Sequence, residues 1–265
     1  MDPVARVSGG FVRGSSRDGV NAFLGIPYAA PAVGADRYRA PRPVVPWDGE
    51  RTATEHGPTA AQSAYPRPMD TVLPSSVDPG DDYLNVSVWA PEGADSLPVM
   101  VWIHGGAFVR GANSVVTYDG SAFARDGVVV VGINYRLGVP GFAVLDGAPT
   151  NLGLRDQIAA LEWVRDNVAV FGGNPEDVTV FGESAGGMSV ATLMASPAAR
   201  GLFHRAVIQS GSGAAVCSLD DARRVSAEVA AHLGVPATAE AFAALDPEEV
   251  VAAQTAVALA IQADP

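Results

Sequence analysis

Residues 178–187 have the sequence Val-Thr-Val-Phe-Gly-Glu-Ser-Ala-Gly-Gly. The first four are β-branched or aromatic, which favours a buried strand, and the small residues around Ser184 favour an abrupt turn into a helix. This context predicts a nucleophile elbow, a strained strand-to-helix turn that holds a serine hydroxyl above a sheet. A Gly-x-Ser-x-Gly match occurs by chance in about one chain in ten of this size. The flanking strand and helix therefore favour the elbow over a purely structural Ser-Gly turn.

The segments before and after this turn alternate between predicted strands and predicted helices. Two continuous apolar runs, residues 97–103 and 128–134, are typical of parallel strands buried on both faces. Apolar residues recur at helical spacing over 152–168, and further strands are expected at 83–89 and 206–209. This alternation predicts an α/β fold with a mostly parallel central sheet.

The two ends of the chain have different patterns. Residues 4–26 alternate apolar and polar positions around Gly10 and Asp18-Gly19, which predicts antiparallel hairpin strands. A Pro-, Gly- and Arg-rich stretch, residues 27–79, is expected to form an ordered but irregular loop region. Beyond the elbow, we expect helices over 187–195 and 219–233, and a last one that begins at Asp246-Pro247 and runs to the end of the chain.

Composition and charge restrict the class of protein. The chain has 265 residues, 48% of them hydrophobic, and a net charge of −12; all of its 17 basic residues are arginines. This balance argues against nucleic acid or an anionic membrane as a partner. Cys217 is the only cysteine, so an internal disulfide is impossible. We see no signal peptide and no apolar run long enough for a bilayer, and expect a cytoplasmic protein.

A second glycine-rich segment precedes the elbow. Residues 102–108, Trp-Ile-His-Gly-Gly-Ala-Phe, follow directly on one of the apolar strands. Acyl transfer requires backbone N–H groups aimed at a developing oxyanion, and glycines let the main chain approach that closely. Together with the elbow downstream, the segment predicts an oxyanion loop rather than a generic strand-ending turn.

With these motifs in order, the chain resembles the type-B carboxylesterases, the family of cholinesterases and bacterial para-nitrobenzyl-type esterases. The resemblance extends over most of residues 4–213 in order and spacing. The matching segments are Phe23–Ala29, Arg37–Pro41, Tyr83–Val86, Val101–Phe108, Asn134–Gly138, Asn151–Val190 and Gln209–Gly211.

The resemblance implies an α/β-hydrolase fold and ester hydrolysis through an acyl-enzyme. It assigns Ser184 as the nucleophile, and the N–H groups of Gly106, Ala107 and Ala185 to the oxyanion hole. Ala107 stands where many members have a third glycine. Ser210 matches a serine that hydrogen-bonds the acid of the catalytic triad, and Glu183 is expected to have a structural pairing role.

The remaining members of the triad have no counterpart in this chain. In the family the acid and the histidine lie beyond the point where residue 265 falls, and none of the four histidines here is expected to act as the base. We therefore expect residues 1–265 to be one α/β-hydrolase domain truncated at its C-terminus, which lacks the C-terminal strands and leaves strand 206–209 as an exposed edge.

The expected substrate is a small-molecule carboxylic ester, with Phe108 and Phe142 as candidates for part of the pocket wall. No metal or organic cofactor is implied, since no ligand spacing is present. Two alternatives stay open: a non-catalytic binding protein resembling cholinesterases, and a half-chain whose site is completed by a separate partner that supplies the missing C-terminal half.

Overall fold

The computed structural model describes residues 2–263, so the last residues of the predicted final helix, Asp264 and Pro265, lie outside the described residues. The strands within this range are β1 (Val4–Val7), β2 (Gly10–Arg13), β3 (Ser15–Arg17), β4 (Val20–Pro27), β5 (Glu50–Thr52), β6 (Asn85–Pro91), β7 (Leu97–Ile103), β8 (Val129–Ile133), β9 (Gly173–Glu183) and β10 (Arg205–Gln209). The α-helices are α1 (Ser121–Arg125), α2 (Gly138–Phe142), α3 (Leu152–Asn167), α4 (Ala185–Ala195), α5 (Leu219–Leu233), α6 (Ala239–Ala243) and α7 (Pro247–Ala263).

The main sheet has seven strands in the order β10-β9-β7-β8-β6-β4-β3. The strands β10, β9, β7 and β8 are parallel to one another, whereas β6, β4 and β3 pair antiparallel. The expectation of parallel strands thus holds for one half of the sheet, and the sheet as a whole is mixed. The reason lies partly in the connections: a tight turn at Asp18-Gly19 joins β3 to β4, and such a turn allows only antiparallel neighbours.

A small sheet of β1, β2 and β5 lies beside the main one. The hairpin expected in residues 4–26 is therefore two hairpins in two sheets, because Gly14 ends one and the next begins at Ser15. Residues 27–79 are irregular, as expected, apart from β5 and two short 3-10 turns.

Helices cover the main sheet unevenly. The helices α3 and α4 pack on β9 from one side, and α4 also contacts β7 and β10. The short helix α1 packs on β4, β6 and β8. The large core cluster lies between the sheet and α3 and α4, and a second cluster joins α2, α5, α6 and α7.

Helical spacing predicts a buried face of Leu154, Ile158, Leu161, Val164 and Val168 for residues 152–168, and the buried face of α3 differs from it. Leu161 and Val164 are buried as the spacing requires, but Leu154 and Ile158 are only half-buried. In their place Asp156 and Gln157 are fully buried.

The sequence predicts one apolar face of α5 formed by Leu219, Ala222, Val225, Val229 and Leu233, and the structure departs from it. Val229 is buried, but Leu219 and Val225 are nearly half exposed. The helix ends at Gly234 in a left-handed conformation, as the sequence predicts, with a φ of 69°.

A buried ion pair fixes the connection between sheet and helices. The guanidinium of Arg136 donates from Nε and Nη2 to the carboxylate of Asp156 at 2.8 and 2.6 Å, and both side chains are 0% exposed. Its Nη1 donates to the carbonyls of Arg37 and Arg39 at 3.0 and 2.6 Å. The pair thereby ties the irregular N-terminal segment to α3.

No helix within residues 2–263 combines the length and apolar character needed to cross a membrane.

Candidate active site

Ser184 lies at the predicted turn, between the last residue of β9 and the first residue of α4. Its backbone has a φ of 55° and a ψ of −120°, a conformation that a residue with a side chain adopts only under strain. Its N–H donates to the carbonyl of Gln209 at 2.9 Å, and its carbonyl accepts from Met188 at the same distance. The side chain is half-buried, so its hydroxyl retains access to the surface.

The glycines of the turn permit a close approach of main chain to main chain. A Cβ added to Gly186 would lie 2.0 Å from the carbonyl oxygen of Ile103 and 2.9 Å from that of His104. The first turn of α4 therefore packs directly on the end of β7. Since Ala185 is the first residue of that helix, its N–H has no intrahelical acceptor.

The glycine-rich segment after β7 lies against the turn. A Cβ added to Gly105 would lie 3.3 Å from Cβ of Ser184 and 2.7 Å from the carbonyl oxygen of Glu183. The next three residues have positive φ angles of 110° at Gly106, 55° at Ala107 and 62° at Phe108. Two of these are not glycine, so the loop stores backbone strain.

The backbone N–H groups of Gly106 and Ala107 donate to no backbone carbonyl within residues 2–263. Ala107 is exposed and Gly106 is half-buried. The structure thus places Ser184 and Ala185 beside the loop that carries Gly106 and Ala107.

A buried histidine supports this loop. His104 is 0% exposed, and its ring stacks on Tyr135 with centroids 4.4 Å apart. Its Nδ1 lies 2.8 Å from the carbonyl oxygen of Gly105, and the hydroxyl of Tyr135 donates to the carbonyl of His104 at 2.9 Å. Burial lowers the pKa of His104 to about 4, so the ring is neutral and its Nδ1–H donates to Gly105.

A glutamine from the irregular segment closes the far end of the loop. The amide of Gln62 accepts from the N–H of Gly111 at 2.7 Å and donates to its carbonyl at 3.0 Å. Two hydrogen bonds to one residue fix both the position and the orientation of that backbone.

The other histidines lie elsewhere. Nδ1 of His204 accepts from the N–H of Val178 at 3.2 Å. Val178 in turn lies about 20 Å from Ser184 along β9, at the usual rise of a strand. Nδ1 of His56 lies 3.1 Å from the hydroxyl of Ser87, and His232 is exposed near the end of α5. Within residues 2–263, no histidine is hydrogen-bonded to Ser184.

The two residues with predicted supporting roles are both exposed. Glu183 ends β9 with its carboxylate beside Gly105, and it forms no ion pair within residues 2–263. Ser210 follows β10 in a left-handed conformation with a φ of 52°. It comes next after Gln209, whose carbonyl accepts from Ser184, and so lies at the same edge of the sheet.

An apolar cavity of about 470 Å³ adjoins the loop. Phe108 and Phe142 contact each other there, with ring centroids 4.9 Å apart. The opposite wall is formed by α5 and α7 through Val225, Val229 and Val257.

In the part of the chain that the structure describes, no three His, Cys, Asp or Glu side chains are grouped so that they could hold a metal ion.

The pair of Arg136 and Asp156 was not predicted as a contact, although both residues lie in segments that carry the family resemblance. Asp156 lies off the apolar face that helical spacing predicts for residues 152–168, so the sequence signalled neither its burial nor its need for a partner. Spacing alone could not identify Arg136 as that partner.

Comparison with known proteins places the chain in a family. The model of the carboxylesterase family matches residues 1–261. The chain is similar to the para-nitrobenzyl esterase of Bacillus subtilis, 50% identical over 212 residues that make up 77% of this chain and 42% of that protein. It is also similar to the phenmedipham hydrolase of Pseudarthrobacter oxydans, 41% identical over 88% of this chain and 48% of that protein.

The solved structure of a thermophilic PNB esterase superposes with a TM-score of 0.91 at 40% identity, covering 99% of this chain and 55% of that one. This likeness confirms the predicted α/β-hydrolase fold. The chain spans about half the length of the relatives it matches. Because the family model matches nearly the whole chain and the relatives are 40–50% identical to it, the chain belongs to the carboxylesterase family.

Proposed function

We propose that residues 1–265 supply the nucleophile and the oxyanion-binding backbone of a carboxylic ester hydrolase. The observation that carries this proposal is the strained Ser184 at the end of β9, in contact with a glycine-rich loop that also has left-handed backbone. The similarity to the para-nitrobenzyl esterase of Bacillus subtilis supports ester hydrolysis as the reaction class.

In the proposed reaction, Oγ of Ser184 attacks the ester carbonyl carbon while a base takes the hydroxyl proton. The carbonyl oxygen becomes an oxyanion, which accepts hydrogen bonds from the N–H groups of Gly106, Ala107 and Ala185. Collapse of this intermediate expels the alcohol, which receives the proton, and leaves an acyl-serine. Water then attacks the acyl-serine by the same route, releasing the acid and restoring Ser184.

The base belongs to a part of the fold that has no counterpart in this chain. His104 is the histidine closest in sequence to the loop, but its Nδ1–H is engaged with Gly105 and burial holds its pKa at about 4. We propose that a histidine and its acid come from the C-terminal half of the fold, and that Ser210 hydrogen-bonds that acid. Glu183 is proposed as a structural residue that packs against Gly105.

The apolar cavity beside Phe108 is proposed to receive the apolar part of a small-molecule ester. Among residues 2–263, the lining is mainly apolar and includes no charged side chain that could bind a charged substituent. The main alternative is a non-catalytic binding protein, and the intact Ser184 with its strained backbone favours catalysis over that reading.

Hydrolysis of para-nitrophenyl acetate tests the proposal when this chain is joined to the C-terminal half of the B. subtilis relative. Ser184→Ala is expected to lower turnover about 10⁶-fold, which corresponds to roughly 8 kcal/mol of barrier. Ser16→Ala, an exposed serine on β3, is the matched control and should leave turnover unchanged. Equal rates for Ser184→Ala and the unsubstituted protein would refute the proposal.

A further inference from the structure

A positively charged side chain beside the loop of Gly106 and Ala107 has no partner of opposite charge. Within residues 2–263, Arg110 forms no ion pair, and its Nε is buried without a hydrogen-bond acceptor. The side chain is half-buried. The guanidinium has therefore lost part of its hydration without gaining the charge-assisted hydrogen bonds of an ion pair.

Arg110 is held against Gly106, the residue whose N–H is proposed to bind the oxyanion. The N–H of Arg110 donates to the carbonyl of Gly106 at 3.1 Å, and a Cβ added to Gly106 would lie 3.0 Å from Cγ of Arg110. Three bonds separate that Cγ from the guanidinium carbon, which adds at most about 4 Å. The positive charge thus lies within about 7 Å of the Cβ position of Gly106.

Two residues of the irregular segment fix Arg110. The ring of Tyr65 lies against the guanidinium, whose carbon is 4.8 Å from the ring centroid. Gln62 fixes the backbone of Gly111, the next residue, by its two hydrogen bonds. Of the three side-chain nitrogens of Arg110 only Nε is both buried and unbonded within residues 2–263, so the two Nη atoms keep contact with solvent. They present a planar pair of donors in one orientation, and such a pair matches a carboxylate.

The loop has an apolar side and a charged side. Phe108 lines the apolar cavity, whereas Arg110 is not part of that wall and contacts Tyr65 instead. The carboxylate of Glu183 lies at Gly105 and forms no ion pair with Arg110. An ester whose carbonyl is bound at Gly106 would therefore have an apolar wall on one side and an unpaired cation on the other.

We infer that Arg110 is a specificity-determining residue that binds a carboxylate on the acyl part of the ester, while an apolar alcohol part enters the cavity beside Phe108. The inference rests on the proposed function, because Arg110 reaches such a group only if the ester carbonyl lies at Gly106. Monoesters of short dicarboxylic acids have this form. In a glutarate monoester, four C–C bonds place the carboxylate about 5 Å from the ester carbonyl, which is within reach of the guanidinium.

Binding is tested without turnover on the full 265-residue chain carrying Ser184→Ala. The probe is γ-benzoylbutyrate, a ketone that contains no ester bond, and its methyl ester is the uncharged control. The NMR signal of the Arg110 Nε–H is identified by its loss in Arg110→Gln. We expect the carboxylate to shift this signal and to bind about tenfold or more tightly than the methyl ester, because the charge-assisted hydrogen bonds are lost in the ester.

Selectivity is tested in the protein that joins this chain to the C-terminal half of the B. subtilis relative. The measured quantity is kcat/KM for monophenyl glutarate divided by kcat/KM for its methyl ester. Arg110→Gln should lower this ratio about tenfold or more, and Arg110→Lys, which keeps the charge but loses the planar donor pair, should lower it less. Arg17→Gln is the matched control with the same change of net charge. Its side chain is 91% exposed on β3, so the ratio should not change.

The inference is overturned if γ-benzoylbutyrate and its methyl ester act alike on the Arg110 signal, or if Arg110→Gln and Arg17→Gln give the same ratio. If Arg110→Gln does not fold, Arg110→Lys identifies the signal, because lysine has no Nε–H group of this kind. A joined protein that hydrolyses neither ester refutes the proposed function. The shift of the Arg110 signal in the 265-residue chain then decides the binding of the carboxylate by itself.

Discussion

Asp156→Asn should be among the most destabilising single substitutions in this chain. The change keeps the shape of the side chain but removes the charge that balances the fully buried guanidinium of Arg136. It also turns an acceptor into an NH₂ group that faces the donors of Arg136 at a site where contacts are now 2.6–3.0 Å. Breaking a buried ion pair on one side costs about 3–5 kcal/mol. That is a large part of the roughly 5–15 kcal/mol available to a typical domain.

Urea denaturation followed by far-UV circular dichroism measures this loss at neutral pH. The matched control is Asp166→Asn on the same helix, because Asp166 pairs with Arg165 at the surface, where both side chains are about half exposed. The control should change the free energy of unfolding by no more than about 1 kcal/mol. Replacing both buried partners, Arg136→Met with Asp156→Leu, should recover part of the loss. The reasoning fails if Asp156→Asn and Asp166→Asn have the same effect.

Two further predictions concern the candidate site. Gly186→Ala should destabilise the chain by about 1–3 kcal/mol and, in the joined protein, lower esterase turnover, because its Cβ would overlap the carbonyl of Ile103. Gly213→Ala, whose Cβ would meet Ala191 at an ordinary 3.4 Å, should do neither, and equal unfolding curves for the two variants would contradict the packing argument. His104 should make stability fall with acidity: its pKa is about 4 in the folded chain and about 6.5 when unfolded, so only the unfolded chain gains a proton as pH falls from 6.5. Between pH 6.5 and 5 the unsubstituted chain should lose about 1.5 kcal/mol more than His104→Phe, and parallel pH profiles would contradict this.

The sequence predicted the elements whose patterns are local. The strand β7 has the bounds expected from its apolar run, and α4 follows the elbow as the small residues indicate. The short helix α2 was missed because its sequence, Gly-Val-Pro-Gly-Phe, has low helix propensity, and its position depends on packing against α3 and α7. The strand β9 begins five residues earlier than predicted, in a polar stretch whose first residue pairs with Leu97.

Within the site, sequence patterns located Ser184 and the loop of residues 105–107, because each is a compact motif beside a buried strand. The supports of the loop come from distant positions. Tyr135 lies 31 residues from His104, and Gln62 lies 49 residues from Gly111, so neither contact leaves a periodic or spacing signal. The strand β10, expected as an open edge, ends the strand order, and its residues Val207 and Ile208 are 43% and 41% exposed.

Fluorophosphonate labelling, with the modified residue identified by mass spectrometry, tests most directly whether Ser184 is a nucleophile whose base lies outside residues 1–265. We expect the 265-residue chain alone to label slowly. In complex with the C-terminal half of the B. subtilis relative, it should label rapidly and only at Ser184. Rapid labelling of Ser184 in the chain alone would show that the base is already present. Labelling of the complex at any other residue would show that Ser184 is not the nucleophile.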